Sequence, residues 1–273
     1  MKKILLLVMI STFSTAIIAQ EIGLQLYSLR NEFKTDVPGT LAKIKSWNIH
    51  EIEGGGTYGL SIDDYKKLLA QNNLQMISVG ADFDSLIANP KAAIEEAKAF
   101  GAKYIVCFWI PHKDSFTIDE AKKAVEVFNK AGKIIHENGL SLCYHAHGYE
   151  FGKYDNETLF DYIVQHTDPK YFNFEMDVFW VKQPGQDPVA LLQKYPSRFT
   201  MLHLKDRKPG TPDSQDGQAD QESNVVLGQG DVNIAAIMKE AKKIGVKHYF
   251  IEDESSRSVE QIPQSLSYLH QLK

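Results

Sequence analysis

Short apolar runs and longer amphipathic stretches follow one another regularly along this chain. The amphipathic stretches have apolar residues at helical spacing, as at Leu41 and Ile44, and the apolar runs have the length of strands. The pattern predicts eight strands, each followed by a helix. The strands are predicted within residues 22–29, 50–55, 74–81, 103–110, 140–147, 172–178, 199–205 and 248–252.

Strict alternation of strand and helix predicts a parallel sheet, because each helix carries the chain back to the same end of the sheet. Eight such units in 273 residues favour a closed (β/α)8 barrel, a TIM barrel, over an open doubly wound sheet. The open sheet typically carries a GxGxxG motif after its first strand, and the glycines at 54–56 lack that spacing. We therefore predict a single (β/α)8 domain over residues 20–273.

The fifth predicted strand changes from apolar to polar residues at its carboxyl end. Side chains alternate between the two faces of a strand, so Cys143, His145 and His147 share one face. Glu150 follows just past the end of this strand. The last three strands also end in an acid or an imidazole: Asp177, His203 and Glu252.

The carboxyl ends of the strands of a barrel meet at one mouth, where the active sites of this fold lie. Three carboxylates and one imidazole are expected to converge there: Glu150, Asp177, His203 and Glu252. Acids that face one cavity repel one another unless a positive charge lies between them. This mostly oxygen set suits Mn²⁺, Mg²⁺ or Co²⁺, and Zn²⁺ is also compatible. The simpler alternative is an ion-pair cluster in which Lys205 and Arg207 neutralise the acids.

Other residues at the strand ends are candidate substrate contacts. Lys205 lies two residues past His203, on the same face, where its ammonium can hold a substrate oxygen or neutralise an enolate. His147 is a candidate because it shares the face of His145. Three polar residues lie at or near the ends of strands 1, 2 and 4: Gln25, Glu53 and His112. Four aromatic residues can supply apolar surface for a sugar ring: Tyr27, Trp109, Phe179 and Trp180.

One long polar segment interrupts the alternation of strands and helices. Residues 207–231 lie between strand 7 and its helix and are rich in Gly, Pro, Asp and Gln. Loops of this length are usually functional or disordered. Because the segment follows a strand that ends at the predicted mouth, we interpret it as a mobile lid or specificity loop rather than a linker.

The first nineteen residues have the order of an export signal. Lys2 and Lys3 precede a short apolar run, and Ala19 supplies the small residue that a cleavage site needs. We predict that residues 1–19 are a signal peptide and that the mature protein is periplasmic or secreted, without a stable membrane span. The alternative is an uncleaved anchor helix.

The net charge argues against a nucleic-acid partner, and the positions of the two cysteines indicate buried thiols. Removal of residues 1–19 takes away two lysines and no acids, so the formal charge changes from −5 to −7, with 28 basic and 35 acidic residues. A nucleic-acid surface needs a basic field, so we expect no nucleic-acid partner. The two cysteines, Cys107 and Cys143, lie inside apolar runs and are interpreted as buried thiols. An oligomer is compatible with the sequence.

Four short motifs make the chain resemble a known family. YHAHGYEF, MDVFW, HLKD and IEDE, together with the eight-unit plan, resemble the sugar phosphate isomerase/epimerase family, the xylose isomerase-like barrels. The family includes ketose 3-epimerases, inosose dehydratases and metal-dependent endonucleases. The resemblance covers the chain from about Ile22 to its end.

The resemblance implies a divalent metal held by acids of strands 5, 6 and 8 and a histidine of strand 7. Asp177, His203 and Glu252 match these positions directly. Strand 5 departs from the family, because His145 stands where the family has glutamate and Glu150 comes five residues later. The strand-5 ligand is therefore His145 or Glu150, and the general base is open among His145, Glu150 and Glu252.

The leading hypothesis is a metal-dependent sugar isomerase or epimerase that removes a proton next to a carbonyl group. No glycine loop or arginine cluster is available to bind a phosphate, so the sugar is expected to be unphosphorylated. A lyase or hydratase acting on 3-keto-glycosides would use the same metal barrel. The further alternative is a sugar-binding barrel without catalysis.

Overall fold

A computed structural model of the chain describes residues 21–272. The predicted signal peptide at residues 1–19 lies outside this range, so its assignment stays a prediction. Within the described range, no helix combines the length and the hydrophobicity that a membrane span requires.

Eight parallel strands close into a barrel in the order β1-β8-β7-β6-β5-β4-β3-β2. The strands are β1 (Ile22–Gln25), β2 (Glu51–Glu53), β3 (Gln75–Gly80), β4 (Tyr104–Cys107), β5 (Ser141–His145), β6 (Phe172–Asp177), β7 (Phe199–Leu204) and β8 (His248–Ile251). The barrel closes where β1 pairs with β8, with Leu24 opposite Ile251. This closure confirms the predicted (β/α)8 barrel and excludes the open sheet.

A principal helix follows each strand and packs on the outside of the barrel. These helices are α1 (Val37–Ser46), α2 (Ile62–Gln71), α3 (Lys91–Phe100), α4 (Ile118–Glu137), α5 (Leu159–His166), α6 (Pro188–Lys194), α7 (Ile234–Ile244) and α8 (Ser258–Gln271). Several begin at side-chain caps, as where Asp36 accepts from the Gly39 N–H and where Thr117 and Glu120 form a capping box. Gly101 and Gly245 end α3 and α7 in the left-handed conformation that glycine tolerates.

The first strand is shorter than the sequence pattern predicts. It ends at Gln25, whose side chain accepts from the Tyr27 N–H and turns the chain into a 3-10 helix over Leu26–Leu29. The same device ends β6, where Asp177 caps a short helix over Val178–Lys182. Apolar residues continue through both turns, so the hydrophobic pattern alone does not reveal the ends of these strands.

Apolar side chains fill the lower part of the barrel interior. Val106, Cys143, Met201 and Phe250 form a buried cluster there, separate from the larger core between the strands and the helices. Cys107 lies in that outer core, and both cysteines are free and buried, as predicted. The apolar interior leaves the mouth of the barrel as the place where buried polar side chains gather.

The long segment after β7 is anchored at its base. Asp206–Arg207 pairs with Asn224–Val225 in a short antiparallel ladder. The Asp206 carboxylate accepts from the backbone N–H groups of Gly228, Gly230 and Val232. Residues 217–221 between these anchors lie over the mouth of the barrel. This position agrees with a lid, and we use that name for residues 207–231.

Candidate metal and substrate site

Six acidic and imidazole side chains meet inside the mouth of the barrel, and all are buried. They come from β2, β5, β6, β7 and the residue after β8: Glu53, His145, Glu175, Asp177, His203 and Glu252. Parallel strands bring them together because the carboxyl ends of all eight strands lie at one end of the barrel. Asp177, His203 and Glu252, predicted as neighbours from the sequence, lie in this cluster.

His203 is at the centre of the cluster and faces a carboxylate from each ring nitrogen. Its Nε2 lies 2.5 Å from Glu53 Oε1 and 3.2 Å from Glu175 Oε2. Its Nδ1 lies 3.3 Å from Glu252 Oε2 and 4.0 Å from Asp177 Oδ2. Burial opposes protonation, but the carboxylates of Glu175 and Glu53 raise the pKa of His203 well above its usual range.

His145 joins the cluster from β5. Its Nδ1 lies 3.1 Å from Glu175 Oε2, and its Nε2 lies 3.8 Å from Asp177 Oδ2. Burial lowers the pKa of His145 well below its usual range, so the ring is neutral and has a lone pair available. His145, Asp177 and His203 present ligand atoms within 4.8 Å of one another, and Glu53, Glu175 and His203 form a second such group.

Two acids of the cluster are hard to ionise where they lie, because they are buried beside other acids. Burial raises the pKa of Asp177 to about 7, against the opposing effect of the Lys205 ammonium. Burial and the adjacent Glu53 carboxylate raise the pKa of Glu175 well above its usual range. Burial also acts to raise the pKa of Glu252, but Lys205 holds it well below its usual range. A further positive charge among these acids would therefore be stabilised.

The donor set fits a divalent cation. Asp177 Oδ2 is buried and has no hydrogen-bond partner among the described residues. A buried carboxylate oxygen without a partner is costly, and a bound cation would remove that cost. Imidazole nitrogens and carboxylate oxygens in this number suit Mn²⁺, Co²⁺ or Zn²⁺ more than Ca²⁺.

Glu150 lies apart from this cluster, contrary to its predicted place among the metal ligands. Its carboxylate accepts from the Tyr144 hydroxyl and from the His147 N–H, which lies 3.2 Å from each oxygen. Tyr144 packs against Phe128 of α4, on the outer face of the barrel wall. Gly148, at φ 94°, turns the chain after β5, so a strand-like spacing does not extend to Glu150. The geometry therefore leaves His145 as the β5 side chain in the cluster.

Glu175 was missed by the sequence reasoning, although a signal for it exists. It lies two residues before Asp177 in β6 and therefore on the same face of the strand. Glu53 was predicted as a substrate contact but lies deeper. It accepts from Gln25 Nε2 at 2.9 Å and from the Ser78 hydroxyl, beneath the mouth.

An open pocket of about 650 Å³ lies above the acidic cluster. His145, Lys205 and Glu252 line its floor, and the aromatic residues predicted to contact a sugar line its walls: Tyr27, Trp109, Phe179 and Trp180. His147 lies between Trp109 and Trp180, with ring centroids 5.5 and 5.4 Å away. Gln25 also reaches the wall.

His112 does not reach this pocket, contrary to its prediction as a substrate contact. Its ring stacks behind Trp109, and its Nδ1 lies 2.8 Å from the Ile110 carbonyl oxygen. Tyr149 covers its other side, 4.1 Å away between ring centroids. Strand β4 ends at Cys107, so the chain has already turned outward before position 112.

Comparison with known proteins gives consistent matches. The model of the xylose isomerase-like TIM barrel family matches residues 41–272. The inosose dehydratase of Clostridium beijerinckii is 28% identical over 177 residues, 56% of this chain and 58% of that protein. The inosose dehydratase of Geobacillus kaustophilus is 28% identical over 168 residues, 52% of this chain and 54% of that protein. The chain thus spans about half the length of these curated relatives.

Solved structures match nearly the whole chain. A sugar phosphate isomerase/epimerase from Parabacteroides distasonis is 26% identical with a TM-score of 0.77, covering 94% of this chain and 95% of that one. A second protein of that description and organism is 28% identical with a TM-score of 0.75, covering 92% and 98%. The IolI protein, whose crystal structure holds a zinc atom, is 15% identical with a TM-score of 0.74 over 93% and 98%. At that identity the likeness to IolI shows the fold alone.

Proposed function

This chain belongs to the xylose isomerase-like TIM barrel family, and we propose that it is a divalent-metal-dependent enzyme that isomerises or epimerises an unphosphorylated sugar. The family is the one predicted from the four motifs. The observation that carries the proposal is the buried cluster of acids and imidazoles at the floor of an aromatic-walled pocket, with a lysine ammonium beside it. The names of the relatives, a dehydratase and isomerase/epimerases, support the same class of chemistry.

Four residues would hold the cation: His145, Asp177, His203 and Glu252. When bound, the cation would act as a Lewis acid toward the substrate carbonyl and so acidify the neighbouring C–H bond. In the proposal Glu252 also accepts the proton from that carbon, because its carboxylate remains ionised beside Lys205. The C–H electron pair then forms the C=C bond of an enolate, and the carbonyl π electrons move to oxygen.

Lys205 is proposed to stabilise that oxygen. Its Nζ lies 3.3 Å from Glu252 Oε2, so one ammonium group lies beside both the proton acceptor and the substrate pocket. The Glu252, Glu254 and Asp177 carboxylates raise its pKa despite burial, so it stays protonated. A fixed ammonium directed at a developing negative charge lowers the activation free energy of enolate formation.

The charge of the pocket supports an unphosphorylated substrate. Lys205 is the one lysine or arginine among the described residues that line the pocket, and both of its charge partners, Glu252 and Glu254, line it too. Glu96 and Asp220 add further negative charge to the wall. A phosphate dianion would enter this field unfavourably.

Elimination is the second candidate, and the name of the curated relatives favours it. If a hydroxyl or an aglycone lies β to the enolate carbon, its C–O bond breaks as the enolate collapses, and the leaving oxygen takes a proton. Dehydration of a polyol ketone and cleavage of a 3-keto-glycoside both follow this course. Reprotonation of the same enolate gives isomerisation or epimerisation instead.

Exchange of the substrate C–H with solvent tests the step that both reactions share. Metal-loaded protein is incubated in D₂O with free ketoses and 3-keto-glycosides, and deuterium next to the carbonyl is followed by NMR. We expect exchange with the wild type and a loss of about a hundredfold or more in Lys205→Ala and Glu252→Gln.

His248→Ala is the matched control for these variants. His248 bonds to Glu51 at 2.8 Å, at the opposite end of the barrel from the pocket, and its substitution should leave exchange unchanged. Binding of these sugars without exchange by the metal-loaded wild type would instead indicate the non-catalytic sugar-binding barrel.

A further inference from the structure

Glu254 follows β8, and its two carboxylate oxygens accept hydrogen bonds from different partners, one at the pocket and one in the lid. Its Oε1 accepts from Lys205 Nζ on the pocket side. Its Oε2 accepts from Gln221 Nε2 of the lid at 3.0 Å. The Glu254 side chain is 16% exposed. Its contact with Lys205 is partly buried, which strengthens a hydrogen bond between charged groups, whereas its contact with Gln221 is exposed to solvent.

The backbone of Glu254 is tied to the same surroundings. Its N–H donates to Asn224 Oδ1 of the lid at 2.8 Å. Arg30 donates to its carbonyl oxygen at 2.7 Å and to Gln221 Oε1 at 2.9 Å. Both polar atoms of the Gln221 side-chain amide are therefore hydrogen-bonded, Nε2 to Glu254 and Oε1 to Arg30. A shift of Glu254 would disturb these contacts with the lid.

Lys205 depends on Glu254 for its position. Its side chain is 1% exposed, and the faces of Phe179 and Trp180 lie 5.3 and 5.5 Å from Nζ. Glu252 and Glu254 are its carboxylate partners among the described residues. Without Glu254 only Glu252 would hold the ammonium among these partners, so Lys205 would be less fixed in position and more accessible from the pocket.

We propose that Glu254 is a positioning residue that couples the lid to the Lys205 ammonium, because one carboxylate holds Gln221 with one oxygen and Lys205 with the other. The proposal rests on the role of Lys205 given under the proposed function. It predicts that loosening the lid at Gln221 displaces Lys205, although Gln221 itself does not contact the lysine.

Gln221→Ala is the decisive variant, with Glu254→Gln beside it and Glu222→Gln as the control. Glu222 also ties the lid to the loop after β8, through the Ser256 N–H at 2.8 Å and Arg257, but it contacts neither Glu254 nor Lys205. Hydrogen exchange of residues 217–223 reports how far each variant loosens the lid. Labelling of Lys205 by an amine-reactive acetylating reagent, read by mass spectrometry, reports its position.

We expect Gln221→Ala and Glu254→Gln to raise the labelling of Lys205 and to lower kcat, each by about fivefold, the value of one net hydrogen bond. Glu222→Gln should increase exchange in the lid but leave Lys205 labelling and kcat near wild type. Exposed Lys67 serves as the internal standard for labelling.

Wild-type labelling of Lys205 in Gln221→Ala would overturn the proposal, and so would an equal effect of Glu222→Gln. Labelling requires no turnover. If the wild type converts no sugar, the proposed function fails, but the coupling between lid and lysine is still decided.

Discussion

His145 and Glu150 show how one short stretch divides its polar side chains between two sides of the barrel wall. His145 points into the mouth and meets Asp177 and Glu175. Glu150, beyond the turn at Gly148, is buried on the other side. A carboxylate and an imidazole that are equivalent candidates in the sequence therefore have separate surroundings and, in our account, separate roles.

The burial of Glu150 gives a prediction about stability and pH. Burial raises the pKa of this carboxyl from 4.5 to about 7, despite the hydrogen bond from Tyr144. Between these pH values the unfolded chain has released the proton and the native protein has not, so the Glu150 contribution to the free energy of unfolding falls as pH rises. The full change is about 3 kcal/mol.

The comparison with Glu150→Gln isolates this contribution, because glutamine does not titrate. Urea unfolding at pH 5 and pH 8 gives the free energy of unfolding of both proteins. The wild-type value minus the Glu150→Gln value should be smaller at pH 8 than at pH 5. An equal difference at the two pH values would show that Glu150 is not held protonated by burial.

The sequence predicts part of this site, for an identifiable reason. Asp177, His203 and Glu252 are predicted together because each lies at the end of an apolar strand, and parallel strands end at one place. Glu175 does not follow from this rule, because it lies two residues before the end of its strand. The place of Glu150 depends on the left-handed turn at Gly148, which period-two alternation does not predict.

At the scale of elements, the lid is fixed at its base and close to the aromatic wall at its tip. Gly217 lies at the tip with φ 71°, and a Cβ built there would lie 2.8 Å from Tyr149 and 3.2 Å from Trp109. Gly210 is also in the lid with positive φ, at 83°, but a Cβ there meets nothing within 4 Å. Both glycines therefore have a backbone conformation that disfavours other residues, but only at Gly217 would an added Cβ also clash with neighbouring side chains.

Alanine at these two glycines separates packing from backbone strain. Both substitutions should lower the free energy of unfolding by about 1 kcal/mol, the cost of a left-handed alanine. Gly217→Ala should also raise KM severalfold, because the new methyl group forces the lid away from Trp109. Steady-state kinetics and thermal unfolding measure both effects. An unchanged KM in Gly217→Ala, or an equal rise in Gly210→Ala, would show that the lid tip does not shape the pocket.

Element boundaries were harder to predict than element types. Eight strands and eight principal helices follow from hydrophobic period and caps such as Asp36 and Thr117. The early end of β1 depends on one hydrogen bond, from the Tyr27 N–H to Gln25 Oε1 at 3.1 Å. This side-chain contact lies within a mostly apolar run, so the hydrophobic pattern does not reveal it. The mobility of the lid remains a prediction.

At the scale of the whole molecule, the residues that form the apolar core and the residues of the candidate site lie in different parts of the barrel. Apolar residues fill its lower interior, and buried acids and imidazoles occupy its mouth. The end opposite the mouth has a single histidine–carboxylate pair, His248 with Glu51, while at the mouth His203 lies among four carboxylates.

Export remains a prediction from residues 1–19. It is tested by sequencing the amino terminus of protein recovered from its native cell.

The central claim is that His145, Asp177, His203 and Glu252 hold one divalent cation. Metal content after substitution tests this claim most directly. Wild type, His203→Ala, His145→Ala, Glu150→Gln and His248→Ala are purified without chelator, dialysed against equal Mn²⁺, and analysed for bound metal by mass spectrometry. His203→Ala is the cleanest probe, because it removes a ligand and no carboxylate charge.

We predict about one metal ion per wild-type chain, with affinity reduced at least about a hundredfold in His203→Ala and His145→Ala. Glu150→Gln and His248→Ala should retain the metal, and all five proteins should remain folded because the ligands lie at the mouth rather than in the apolar core. Full metal content in His203→Ala, or loss of metal in Glu150→Gln with retention in His145→Ala, would contradict the account.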